Sequence, residues 1–312
     1  MSQTAVMVRL FRWDDLPALS LLCREAEAVD QVGRPGNMDE LAERWGRPGV
    51  LPEENLFVAQ VGEEYVGYVV VQDHVWGECL VADGQVHPQW RRRGIGSRLF
   101  LRAVERAWER GGRALDIGVR RDRPAAMAFA RHHGLEHVRS MWRMRLEPIA
   151  VPEIAIPAGY GWREARGEAD AEAYCRSYNA SFASHWGFNP STLEEAAQRL
   201  KPRTTRTFFA VRDGQEVGEE VGLCAISPRL GYVSGAPAQV GHIGPVGVVP
   251  DHQRRGLGRM LLLLAVAHAK ALGLPAVQLN VDGENPGAIH LYQSAGFRIE
   301  AELMWHRKWL GP

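Results

Sequence analysis

The segment Val86-His87-Pro88-Gln89-Trp90-Arg91-Arg92-Arg93-Gly94-Ile95-Gly96 recurs as Val248-Val249-Pro250-Asp251-His252-Gln253-Arg254-Arg255-Gly256-Leu257-Gly258, and no other feature limits the architecture so strongly. Each copy runs from a Val-x-Pro strand end through a basic turn to Gly-x-Gly, and Gly256 follows Gly94 by 162 residues. The chain therefore reads as a tandem duplication. A glycine turn that opens a helix presents successive backbone N–H groups, so the pattern also points to a pyrophosphate.

With 312 residues, 46% of them hydrophobic, each half has enough material to bury its own core. The 37 basic and 37 acidic residues cancel, which leaves Arg91–Arg93 as a local run suited to a small anion and argues against nucleic acid. Cys23, Cys79, Cys175 and Cys224 are scattered without paired spacing, and the N-terminus has no apolar signal core. A reduced, cytoplasmic protein without a metal site is expected. The most apolar segment, Met260–Ala267, is too short to cross a bilayer.

Pro148, Pro152 and Pro157 favour an extended connector, so the expected division is a domain at 1–147, a linker at 148–158 and a domain at 159–312. Both halves read as mixed α/β, each a mostly antiparallel sheet flanked by helices, with the same order. That order is a strand, one or two helices, three strands, the Gly-x-Gly helix, a strand, a short helix and two final strands. In the first half the strands are Val6–Leu10, Leu56–Val61, Tyr65–Gln72 and Glu78–Val86, and the first helix is Asp14–Asp30, capped by Asp14 or Asp15. The second half matches these with strands Tyr160–Arg163, Thr207–Arg212, Val217–Ile226 and Val240–Val248 and a helix from Glu168. Glu40–Trp45 and Leu193–Leu200 read as second helices. Behind the glycines the apolar stripes are Ile95, Leu99, Ala103 and Ala107, and Leu257, Leu261, Leu264 and Leu272. Gly112 and Gly273 are expected to end these helices, and strands Ala114–Val119 and Ala276–Val281 to follow.

Past the second of those strands, Asn285 and Pro286 suit the N-cap and first position of a helix whose one face carries Ala288, Leu291, Tyr292 and Ala295. Gln253-x-x-Gly256-x-Gly258, followed by Asn285-x-x-Ala288-x-x-Leu291-Tyr292-x-x-x-Gly296-Phe297, resembles the paired cofactor motifs of the GCN5-related N-acetyltransferase (GNAT) superfamily. The resemblance covers nearly the whole chain, and the tandem form with a better second motif is similar to that of members acting on a thiol-sugar amine. It implies acetyl-CoA in a cleft where Val240–Val248 and Ala276–Val281 splay apart. Pantetheine would pair with Val246, Gly247 and Val248, and the pyrophosphate would meet the amides of Gln253, Arg254, Arg255, Gly256, Leu257, Gly258 and Arg259, with Asn285 capping the next helix. Free helix-start amides and the helix dipole favour such an anion in any family.

Acetyl transfer to an amine needs a neutral nucleophile, donors for the oxyanion and a proton for the departing thiolate. The resemblance places Tyr292 as the acid and a backbone N–H near Val248 as oxyanion donor. The strand leading to Val-x-Pro lacks the family's usual carboxylate, and His242 is its one titratable side chain, so His242 is the expected base, with Glu219 and Glu220 as rivals. In the first half Tyr292 and Asn285 correspond to Ala130 and Arg123, so that half is expected to be degenerate, with Asp83 and Glu78 its remaining carboxylates. The expected activity is transfer of acetyl from acetyl-CoA to a primary amine of a small molecule, in the second half. The rivals are a non-catalytic CoA-binding sensor or scaffold and acetylation of a thiol-sugar amine. A Rossmann site is excluded by the missing third glycine and acidic residue, and a Walker A loop by the missing Gly-Lys-Ser/Thr. Acceptor choice is expected to depend on Arg176–Pro190, with Tyr178, His185 and Trp186 as its wall.

Overall fold

A computed structural model describes residues 5–34, 36–47, 50–73, 79–186, 188–201, 205–213 and 219–311. Two compact units emerge: residues up to Arg139 together with the segment from Met304, and Ser140–Leu303. Both are mixed α/β.

The first unit contains β1 (Val6–Leu10), α1 (Leu16–Asp30), α2 (Met38–Trp45), α3 (Pro52–Asn55), β2 (Leu56–Val61), β3 (Glu64–Asp73), β4 (Leu80–Val86), α4 (Ile95–Glu109), β5 (Ala114–Arg120) and α5 (Pro124–His132). Strands β1 to β4 pair antiparallel in chain order, and β5 joins β4 in parallel. The apolar run Leu56-Phe57-Val58-Ala59 of β2 is buried on both faces, as a strand paired on both edges requires. Ile95, Leu99, Ala103 and Ala107 of α4 are all buried against this sheet, so the helical stripe is as expected.

The second unit contains the end of β6 (Glu136–Leu146), then β7 (Tyr160–Glu164), α6 (Ala171–Phe182), α7 (Leu193–Leu200), β8 (Arg206–Arg212), β9 (Glu219–Val233), β10 (Ala236–Val248), α8 (Leu257–Ala271), β11 (Val277–Asp282) and α9 (Pro286–Ser294). Its strand order is β7-β8-β9-β10-β11-β6, with only β10 and β11 parallel. Helix α7 starts where a capping box predicts, with the Thr192 hydroxyl accepting from Glu195 N–H and the Glu195 carboxylate accepting from Thr192 N–H. Helix α8 is buried almost all round, from Leu257 to Ala269.

Several expectations are corrected. Each half ends in one long strand, not two: β6 and β12 (Arg298–Trp309) carry no glycine or proline that would break them. These strands hold equivalent positions in the two repeats, and their ends are exchanged, since residues 140–146 of β6 belong to the second unit and the segment from Met304 of β12 to the first. Strands β9 and β10 run on to a two-residue turn at Ser234-Gly235, whose φ values of 51° and 80° suit a tight hairpin. The left-handed residue ending α4 is Gly111, not Gly112; a Cβ on Gly112 would lie 2.8 Å from Leu80 Cδ1, so that glycine is needed for space. Leu272 is the exposed C-cap of α8 and no part of its stripe. Asp15 takes the N-cap position of α1, yet its carboxylate binds Arg9, Tyr65 and the Arg12 N–H instead of the helix start. Glu78, Val217 and Gly218 lie outside the described residues.

Candidate active site

In the second unit β10 and β11 are paired from Gly241/Val277 to Ile243/Leu279, after which β10 continues to Val248 and β11 to Asp282 without pairing each other. The strands splay there. On its other edge β10 stays paired with β9, but the register shifts between Ile243, opposite Ile226, and Val246, opposite Cys224, so one extra residue is accommodated. This is a β-bulge at Gly244-Pro245, and it re-aims the following residues. The Val249 N–H donates to Val221 O on the β9 side. Backbone groups alternate along a strand, so Gly247 also faces β9, while the N–H groups of Val246 and Val248 face the splay.

The strand leads into the basic turn. Arg254 has φ 58° and Gly256 φ 89°, and Gly256 is the N-cap of α8. Alternating left-handed residues turn consecutive N–H groups toward one concavity, and Met260 N–H is the first to bond back, to Gly256 O. The N–H groups of Leu257, Gly258 and Arg259 thus have no intrahelical acceptor. A Cβ on Gly258 would sit 3.5 Å from Leu291 Cδ2, so α8 and α9 meet closely at this point. Gln253 donates from Nε2 to Val248 O at 2.9 Å, which fixes the turn to the strand end. Arg255 reaches Asp251 O and Arg259 reaches Ser294 Oγ, so both guanidiniums are positioned near the turn by single bonds.

Asn285 caps α9 as the sequence implies, accepting from Ala288 N–H at 3.0 Å. One turn beyond, Tyr292 is 6% exposed and shares a core with Cys224, the residue opposite Val246. Burial, reinforced by Cys224, pushes its phenol far above the ordinary range, so it stays protonated. Its hydroxyl makes no hydrogen bond among the described residues. Such a phenol has a proton to give.

His242 lies just before the bulge, opposite Ser227 on β9 and Gln278 on β11. Burial, with Arg229 and Arg143 nearby, lowers its imidazole to about 4. The ring is therefore neutral at pH 7, and its titration falls well below the neutral range that an unperturbed histidine would give. Glu220 is buried and held by Arg163 at 2.7 Å and Arg176 at 2.8 Å. Burial alone would raise its pKa, but the hydrogen bond from Arg163 and the two positive charges outweigh this and lower it. That carboxylate is committed to its arginines. Glu219 is exposed at the start of β9.

The first unit repeats the frame with different contents. Strands β4 and β5 pair only at Leu80/Leu115 and Val81/Asp116 before separating, and β4 runs against β3 without any bulge. The turn keeps the same backbone, with Arg92 at φ 65° and Gly94 at φ 78°, and Arg91 Nε donates to Val86 O as Gln253 does to Val248 O. Beyond that the likeness ends. The Arg91 guanidinium grips the Asp30 carboxylate at 2.6 and 2.9 Å, and Arg123, which replaces the capping Asn285, donates to Asp30 O. Asp30 thus ties Arg91, in the turn after β4, to Arg123, in the turn after β5. Asp83 is paired with Arg34 at 2.6 Å.

Two features escaped the sequence reading. Gly244-Pro245 inside a strand is a bulge signal, since proline has no N–H to give to a ladder. The other is a repeated ion pair, Arg9 on Asp15 and Arg163 on Asp170, each with the two terminal guanidinium nitrogens on the two carboxylate oxygens. No local pattern marks it, because the partners meet only once the first strand and helix have packed.

The sequence profile of the Acetyltransferase (GNAT) family matches residues 19–135 and again 171–297. A mycothiol acetyltransferase of Thermobispora bispora is 30% identical over 302 residues, covering 94% of this chain and 96% of its own. Another from Thermomonospora curvata is 34% identical, covering 88% and 93%. Among solved structures, a GCN5-related N-acetyltransferase from Sphaerobacter thermophilus has a TM-score of 0.74 at 24% identity, covering 98% and 96%. A tandem GNAT protein from the clavulanic acid biosynthesis pathway also reaches 0.74, at 21% identity and 99% of both chains. Among the described residues no helix is long and apolar enough to cross a membrane. The splayed strands, the doubled glycine turn and these matches agree: the chain belongs to the GNAT family as a tandem, acyl-CoA-dependent N-acetyltransferase.

Proposed function

We propose that the second unit transfers an acetyl group from acetyl-CoA to a primary amine of a small molecule by direct attack, and that it holds the chain's one productive cofactor site. The observation carrying this reading is Tyr292, a buried and protonated phenol beside the bulged end of β10. The splay-facing groups of Val246 and Val248 suit a pantetheine chain lying as an added strand. The amides from Gly256 to Arg259, with Arg254 and Arg255, suit the pyrophosphate.

In the reaction the amine nitrogen bonds to the acyl carbon and the carbon–sulfur bond breaks. The Val248 N–H donates to the oxyanion, and Tyr292 gives its proton to the departing thiolate. His242, neutral above about 4, takes the proton that the amine nitrogen sheds as the adduct forms and passes it on to water, while the proton Tyr292 gave up is restored from solvent. In the first unit, the Asp30 tie, the straight β4 and Ala130 in place of a phenol all favour a relic without turnover.

The test is acetyl-CoA turnover against a panel of amines, beside a CoA titration that counts sites. Turnover with one site is expected; binding without turnover on any amine favours a sensor or scaffold. Tyr292→Phe should lower kcat about 10²-fold or more while CoA affinity holds; unchanged kcat removes the tyrosine from its role. A rate limb near neutrality that survives in His242→Ala belongs to the acceptor amine, whereas a limb through about 4 that vanishes is the histidine's. The relatives' name supports a second reading in which the acceptor is a thiol-sugar amine, and such an amine belongs in the panel.

A further inference from the structure

Helix α6 lies directly on the strand segment that borders the splay. A Cβ on Gly247 would come within 2.7 Å of Ser181 Cβ and of Phe182 Cε2, so only glycine allows the helix this close. Two serines one turn apart on α6 are buried against the sheet. Ser177 is satisfied, its Oγ donating to Glu220 O at 3.0 Å. Ser181 is 4% exposed and its Oγ has no hydrogen-bond partner among the described residues.

A buried hydroxyl left unpaired costs stability, and alanine would fill the same space without that cost. Ser181 also stands against the one residue of β10 flanked on both sides by splay-facing amides, those of Val246 and Val248. Its hydroxyl can rotate, and it needs only one acceptor. The thioester carbonyl is the acceptor that arrives at this place when an acyl chain lies along Val246–Val248.

The geometry points to Ser181 as a further substrate-binding residue: its hydroxyl donates to the carbonyl oxygen of the bound acyl thioester, beside the backbone oxyanion donor. The inference rests on the proposed cofactor site in the second unit. It separates two ligands that differ at one place, because acetyl-CoA carries that carbonyl and CoA does not.

Calorimetric titration of the full chain with acetyl-CoA and with CoA, paired with thermal melts, decides the matter. For Ser181→Ala the unliganded Tm should equal or exceed the wild-type value. Acetyl-CoA should bind roughly five- to tenfold more weakly and CoA unchanged. Ser181→Cys, similar in size but a weak donor, should follow the alanine variant. Equal acetyl-CoA affinity in wild type and Ser181→Ala overturns the inference. A lowered Tm with both ligands weakened alike also overturns it, since a purely structural hydroxyl would behave so. A wild-type chain that binds neither ligand overturns the cofactor site itself, a different failure.

Discussion

The turns at Arg91–Gly96 and Gln253–Gly258 share a backbone and differ in what surrounds it. Both bend through a left-handed arginine and a left-handed glycine, and both are fixed to the preceding strand end by the side chain of their first residue. In the first unit that side chain and Arg123 converge on Asp30; in the second, Gln253 and Asn285 each turn to their own backbone. The duplication kept the part that shapes the backbone, since a distorted turn would disturb the α4 or α8 packing on which each core depends. Side chains around the opening were free to change, and one copy has joined its two strand ends where the other leaves them separate.

The comparison can be broken first through the ion pairs that both units share. Asp15→Asn and Asp170→Asn should each destabilise the chain by about 3 kcal/mol in urea unfolding, because a guanidinium loses a buried carboxylate. Markedly unequal losses would show that the copies do not rely on the pair alike. Burial raises the Asp15 carboxyl, but hydrogen bonds from Arg9, Tyr65 and the Arg12 N–H outweigh it and hold it at about 2. A carboxylate with a lowered folded pKa contributes its full stability above about 4, the unfolded value, and loses it as pH falls through about 2. Unfolding midpoints followed from pH 5 downward should therefore show an acid arm that Asp15→Asn makes shallower.

Next in size is the turn proposed to hold the cofactor. Gly258→Asp places a carboxylate at the amide cradle and should weaken CoA binding about 30-fold, a cost of about 2 kcal/mol. Gly96→Asp should leave CoA affinity unchanged, and an equal loss there would refute a single site. Neither glycine has a left-handed φ, and a Cβ at either meets its neighbours no closer than 3.5 Å, so both variants should fold. The smallest effect concerns the caps: Asn285→Ala should cost about 1 kcal/mol in thermal unfolding, because a capping bond is lost. Arg123→Ala, which caps nothing, should cost less.

Features set by local physics were legible in the sequence. Strand Leu56–Val61 and helix Leu193–Leu200 begin and end at the residues expected of them. The Asn285-Pro286 helix start is equally local. What escaped depends on partners distant in the chain. The lowered pKa of His242 needs burial plus Arg143 and Arg229 from other strands, and the Asp30 tie joins three residues far apart in sequence. The bulge is an intermediate case, since Gly244-Pro245 announces it, but only a paired β9 shows which way the register moves.

The exchanged strand ends bear on how such a chain can evolve. A deletion that removed the first copy would also remove Met141–Leu146, which pair with Val277–Asp282 beside the splay. Losing the other copy would take Arg307, whose guanidinium holds the fully buried Asp116 of β5 at 2.8 Å. Each repeat is thus a hostage of its twin. Whatever each unit does chemically, the first repeat supplies the second with the strand end that completes its sheet beside β11.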